Sequence, residues 1–242
     1  MSRFNESSHQ VGFSTGALER RDFRQAVAWM VANGIHTVEL SALRFDELPP
    51  LVKSLNDLPL ESFKYVSFHA PSSFEKDKEE HVIELLQPVR KRGWNIIVHP
   101  DVIYTPSRWS SFGEQLLIEN MDRRKALGRT SAELRDLFKQ LPKARLCLDV
   151  AQARQLDTTL MLLWDIVRRF SDRIGEVHIS ELDSMCRHQP MSRGAVMDYR
   201  QVLGRAVRMT PVIVESMLDA NRSGLRMNEY KMAQEALEMS QA

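Results

Sequence analysis

The chain has 242 residues, 43% hydrophobic and 27% charged, the balance of a globular protein with one core rather than of a disordered or fibrous one. Its 33 basic and 32 acidic side chains leave a formal charge of +1, which disfavours nucleic acid as a partner, because proteins that bind a phosphate backbone usually carry a basic excess. The two cysteines, Cys147 and Cys186, form no CxxC pair, and there is neither a signal-like leader nor a membrane-length apolar run, so the expectation is a cytoplasmic protein without disulfides or membrane contact.

Eight short apolar runs follow one another along the chain. They are Val11–Ser14, Thr37–Leu40, Tyr65–His69, Asn95–His99, Leu116–Glu119, Arg145–Asp149, Glu176–Ile179 and Pro211–Glu215. Their length and β-branched content suit strands buried on both faces of a parallel sheet, and their spacing leaves room for a βα unit each time. Between them lie amphipathic stretches. Phe23, Val27, Met30 and Val31 share a helical face, with Gly34 as its stop. Val82, Leu85, Leu86 and Val89 form another, before Gly93. Thr130 and Glu133 have capping-box spacing ahead of Leu134, Leu137, Phe138 and Leu141, and Pro142 ends that helix. Leu160, Leu163, Trp164, Val167 and Phe170 make a fourth stripe, and a closing helix is expected from about Asn228 to Met239.

This alternation predicts a single-domain (β/α)8 barrel over residues 1–242, although an open doubly wound sheet shares the pattern. Two irregularities are expected: a reduced fourth helix between Pro100 and Gln115, and a long loop after the seventh strand, from Ser180 to Asp198.

The chemistry sits at the strand ends. His69, His99, Glu119, Asp149 and Glu215 end the third, fourth, fifth, sixth and eighth runs; His178 lies within the seventh, and Glu39 near the end of the second. In a barrel these positions converge on the C-terminal mouth. One histidine there reads as a core residue, and one carboxylate as a helix cap or an arginine partner. A ring of them suits a divalent cation, without which the carboxylates would repel one another. Glu39 could equally pair with Arg44 or Lys64. Arg123, Arg124 and Lys125 could face the mouth and hold a phosphate or carboxylate, a solvated loop being the plainer reading. The chain lacks a glycine-rich phosphate loop and a nucleophile elbow.

From Gly12 to Glu215 the ordered series Phe68-His69-Ala70, Val98-His99-Pro100, Ile118-Glu119-Asn120, Leu148-Asp149-Val150, Glu176-Val177-His178, Arg187-His188-Gln189-Pro190 and Val214-Glu215-Ser216 resembles the xylose isomerase-like barrels, which include sugar isomerases and epimerases and apurinic endonucleases. The resemblance implies one metal on Glu119, Asp149, His178 and Glu215, a second on His69 and His99 bridged by Glu119, and Glu119 and Glu215 as an acid/base pair facing each other across the barrel. It implies one or two ions of zinc, manganese, cobalt, iron or magnesium and a sugar-like small-molecule substrate, and it leaves a homo-oligomer open. The endonucleases' third-metal positions read Gln152 and Cys186-Arg187-His188 here, a departure that favours the isomerase or epimerase reading over a phosphoesterase. Gln152, Cys186, Arg187 and His188, with Glu39, are therefore candidates for further metal or substrate contacts. A catalytically altered barrel with a binding role is the third reading.

Overall fold

A computed structural model describes residues 10–207 and 209–238. Eight parallel strands close into a barrel: β1 (Val11–Ser14), β2 (Thr37–Ser41), β3 (Tyr65–His69), β4 (Asn95–Val98), β5 (Leu116–Glu119), β6 (Arg145–Asp149), β7 (Ile174–Ile179) and β8 (Val212–Val214). Each pairs with its neighbour in sequence, and β1 closes on β8 with Phe13 opposite Val214. An open doubly wound sheet is thereby excluded.

The strands form where expected because both of their faces are buried, the outer one filled by valine, isoleucine, leucine and phenylalanine and the inner one largely by polar side chains. One face packs beneath the surrounding helices, as Phe68, Ile96, Ile118, Leu148 and Val177 do. The other faces the barrel axis, where Ile97, Leu117 and Cys147 form a separate small apolar cluster. Gly12 is needed in β1, since a Cβ there would lie 1.9 Å from the Thr37 carbonyl oxygen.

Helix ends follow local chemistry. In the helix Phe23–Ala32, Asp22 accepts a hydrogen bond from Gln25 N. That helix closes at Gly34, whose φ of +68° lets Ile35 N reach back to Met30 O at 3.0 Å. Thr130 Oγ1 caps the helix Ser131–Gln140 by accepting from Glu133 N, while the Glu133 carboxylate accepts from Arg129 N rather than from the cap residue itself. The stripes are narrower than their spacing suggested. Val31 and Trp164 are exposed, because the barrel leaves the flank of each helix open to solvent. The second stripe is split at Leu86 into two helices, Glu79–Leu85 and Gln87–Lys91, with Pro88 in the first turn of the latter.

Both irregularities occur, one in altered form. Between Pro100 and Gln115 there are only 3₁₀ turns and a four-residue helix, Pro106–Trp109. The loop after β7 is shorter than expected: Ser192 caps a helix that already begins at Arg193 and runs to Leu203. Within the loop, Glu181–Leu182 and His188–Gln189 pair as a small antiparallel ribbon over the mouth. The closing helix is Arg226–Leu237; Met239, its expected end, lies outside the described residues. Among the described residues no helix is long and apolar enough to cross a membrane.

Candidate functional site

Strand alternation brings the predicted ring together. Glu119, Asp149, His178 and Glu215 each offer one ligand atom, all within 4.8 Å of one another; so do His69, His99 and Glu119. Glu119 belongs to both groups. Its Oε2 lies 3.2 Å from His69 Nε2 and 3.1 Å from His99 Nε2, while its Oε1 lies 3.7 Å from His178 Nδ1. Glu215 Oε2 is 3.3 Å from the same His178 nitrogen. Glu119 from β5 and Glu215 from β8 thus bring their carboxylates to the same imidazole nitrogen.

Hydrogen bonds aim these side chains. His69 Nδ1 donates to the carbonyl of Ala70 at 2.7 Å, which leaves Nε2 to face Glu119. Asn120 bridges β5 and β6, its Nδ2 donating to Asp149 O at 2.8 Å and its Oδ1 accepting from Asp149 N at 2.9 Å. Asp149 also caps the next helix, Oδ1 accepting from Gln152 N at 2.8 Å. The cap therefore engages Oδ1 and leaves Oδ2 outside it.

Beneath the ring lies a polar chain that the spacing of the sequence did not single out. His178 Nε2 donates to Glu176 Oε1 at 3.0 Å, Tyr65 Oη donates to Glu176 Oε2 at 2.5 Å, and Asn95 Nδ2 donates to Tyr65 Oη at 2.8 Å. Glu176 sits two residues before His178, on the same inward face of β7, and period-two alternation was the one signal that could have found it. Glu39 pairs with neither Arg44 nor Lys64. It is fully buried, accepts from Ser41 Oγ at 3.0 Å, and its Oε2 lies 3.0 Å from His178 Nε2 without an aligned hydrogen bond.

The electrostatics are those of buried carboxylates and imidazoles crowded into one ring. Burial pushes the Asp149 carboxyl well up, and the neighbouring Glu119 and Glu215 push it further. Burial also opposes ionisation of Glu215, but His178 and His188 outweigh it and hold the group down to about 2. Glu119 is held well below the usual carboxylate range, where His99, His178 and His69 overcome its burial. For His69 burial favours the neutral ring, yet the contact with Glu119 and the nearby Glu39 raise it to about 9. His178 is likewise raised, its burial outweighed by surrounding groups that include Glu215 and Glu39.

These residues fit a divalent ion. His178 Nδ1 is buried without a hydrogen-bond partner and points at the carboxylates, while Glu176 fixes the proton on the opposite nitrogen. The set Glu119, Asp149, His178 and Glu215 mixes one imidazole with three hard oxygens, and the set His69, His99 and Glu119 is richer in nitrogen.

The outer candidates divide. Gln152 Nε2 donates to Glu119 Oε1 at 2.6 Å and to Asp149 Oδ2 at 3.0 Å, so its amide steadies the ring. His188 reaches the ring's edge, Nε2 lying 3.8 Å from Glu215 Oε2 and Nδ1 within 2.8 Å of Ser180 Oγ. Cys186 donates to Gln155 Oε1 at 3.2 Å, and Arg187 is largely exposed and paired with Asp183 at 2.7 Å. Above the ring opens a cavity of about 860 Å³, to whose wall Arg124 and Lys125 contribute; each is already paired, with Asp122 and Asp101 respectively.

No known family profile matches the sequence, and no curated protein matches it. Solved structures do match the fold. Protein SMc04130 from Sinorhizobium meliloti 1021 superposes with a TM-score of 0.63 at 13% identity, covering 94% of this chain and 98% of that one. The 3-keto-D-glucoside 4-epimerase YcjR from E. coli gives 0.60 at 12% identity, with 93% and 98% covered. A xylose isomerase-like TIM barrel protein from Mycobacterium smegmatis, in complex with magnesium, gives 0.55 at 12% identity, with 89% of each chain covered. At such identities the likeness is one of fold: this chain shares their closed (β/α)8 barrel.

Proposed function

We propose that this protein is a divalent-metal-dependent isomerase or epimerase of a small sugar or related polyol. The observation that carries the reading is the convergence of Glu119, Asp149, His178 and Glu215 at the floor of a mouth large enough for such a substrate. The similarity of fold to a sugar epimerase and to a magnesium-bound barrel supports it.

A divalent ion held by these four residues would draw electron density from a substrate carbonyl and so acidify the neighbouring C–H. The chain's own groups do the rest. Glu215 lines the mouth cavity and stays ionised, so its carboxylate is the group placed to accept that proton. Glu119 lines the same cavity and is the second carboxylate there, the partner that would hand a proton back to the substrate. Gln152 keeps Glu119 from rotating, and His188 offers a nitrogen beside Glu215 for a substrate hydroxyl. Replacing Glu119 with glutamine abolishes turnover of the sugar on this reading while the circular dichroism and melting temperature stay near wild type. Turnover unchanged in that variant would remove the assignment.

A second reading, a two-metal phosphoesterase, is favoured by one observation: the His69, His99 and Glu119 group, with Glu119 shared between both sets. Incision of an abasic-site duplex, lost with EDTA, would select it. Gln152, engaged with Glu119 and Asp149, and Cys186, engaged with Gln155, count against a third metal only.

A further inference from the structure

The mouth does not end at the metal-ligand ring. Between the segments that follow β1 and β2 a second chamber of about 410 Å³ opens, and Gly16, Arg20, Leu43 and Met217 line both spaces. Phe23 and Pro50 add apolar surface to it. Its charges do not cancel. The two carboxylates on its wall already have cations: Glu19 accepts from Arg226 at 2.6 Å, and Glu47 lies 3.7 Å from Arg21. Arg20 and Arg44 also line it; both are exposed to water at its rim, and among the described residues neither has a carboxylate within ion-pairing distance. Two unmatched guanidinium groups beside apolar walls suit an acid group carried on an apolar spacer.

We propose that this side chamber binds a carboxylate or phosphate borne on a ring or short apolar linker, the second half of a two-part substrate whose sugar half reaches the Glu119–Glu215 ring. The inference rests on the sugar reading for the identity of the first half; the anion site itself rests only on the chamber. A free neutral monosaccharide would leave both guanidinium groups to water. A glycoside or ester with an acidic tail would engage the chamber and the ring together, since the two spaces share their wall at Arg20 and Leu43.

The test uses calorimetric titration of the full chain, with and without Mn²⁺, against phenyl phosphate, benzoate, phenol and inorganic phosphate, in wild type and in Arg44→Ala. Arg44 lies outside the ring, so the variant should keep its metal content. Phenyl phosphate or benzoate should bind with or without Mn²⁺ and lose about tenfold in affinity in the variant. Phenol and inorganic phosphate, each lacking one half of the recognised group, should bind more weakly than phenyl phosphate to the wild type. Whichever of phenyl phosphate and benzoate binds tighter tells phosphate from carboxylate. Absence of saturable binding, equal affinity in Arg44→Ala, or binding that needs Mn²⁺ and ignores the substitution would overturn the proposal. Because the probes contain no sugar, a chamber that binds them in a protein that turns over no sugar would support the anion site and refute the isomerase reading alone.

Discussion

His178 Nε2 donates to Glu176 Oε1 at 3.0 Å, and both side chains are fully buried inside the barrel. The bond decides which imidazole nitrogen is left for the ring above, because a neutral imidazole has only one nitrogen free to act as a ligand. Glu176 is itself steadied by Tyr65 and Asn95, so the orientation of a mouth residue is set from the far end of the barrel.

Replacing Glu176 with glutamine should therefore weaken divalent-metal affinity by about 10–100-fold, the range typical of partners that orient a liganding histidine. The glutamine can accept the same hydrogen bond but not the charge. Competition with a chromophoric chelator measures it, and the Co²⁺ absorption spectrum should shift with the affinity. Unchanged affinity and spectrum would reduce Glu176 to a packing role.

Metal content is the next expectation. Purified protein should carry, or take up on reconstitution, one or two equivalents of a divalent ion, lost in a Glu119→Ala, His178→Ala double variant. Mass spectrometry of the metal decides it. A single equivalent points to the set around Asp149; two point to His69 and His99 as well.

The metal-free protein should lose stability as the pH rises. His69 has a folded value of about 9, above the ordinary histidine value of 6.5, so the stability it contributes is fully present below pH 6.5 and is lost as the pH passes through about 9. Asp149, raised well above its ordinary value, acts in the same direction, because its ionisation is resisted only in the folded state. Melting temperatures of the metal-free protein between pH 6.5 and 9.5 should fall. Saturating metal should flatten the slope, because the ion balances the carboxylates that hold His69 protonated.

Gly12→Ala should cost about 3 kcal/mol or more, since the new Cβ would fall 1.9 Å from a backbone oxygen of β2, which cannot rotate away. Urea denaturation reads this directly. Gly34→Ala, whose Cβ would meet nothing within 4 Å, should cost about 1 kcal/mol from its left-handed backbone alone.

The sequence alone determined the eight strands and the order of side chains at their ends. β-branched runs specify strands buried on two faces, and a parallel barrel delivers every strand end to one mouth. That suffices to gather His69, His99, Glu119, Asp149, His178 and Glu215. Where contacts depend on the distance between strands remote in sequence, only the tertiary structure decided. Glu39 turned to His178 and not to Arg44 or Lys64; Glu119 and Glu215 closed onto one nitrogen; Tyr65 and Glu176, 111 residues apart, met inside the barrel. The exposure of Val31 and Trp164 was settled the same way, because a periodic pattern gives the direction of an apolar stripe but not how much of it the neighbouring elements cover.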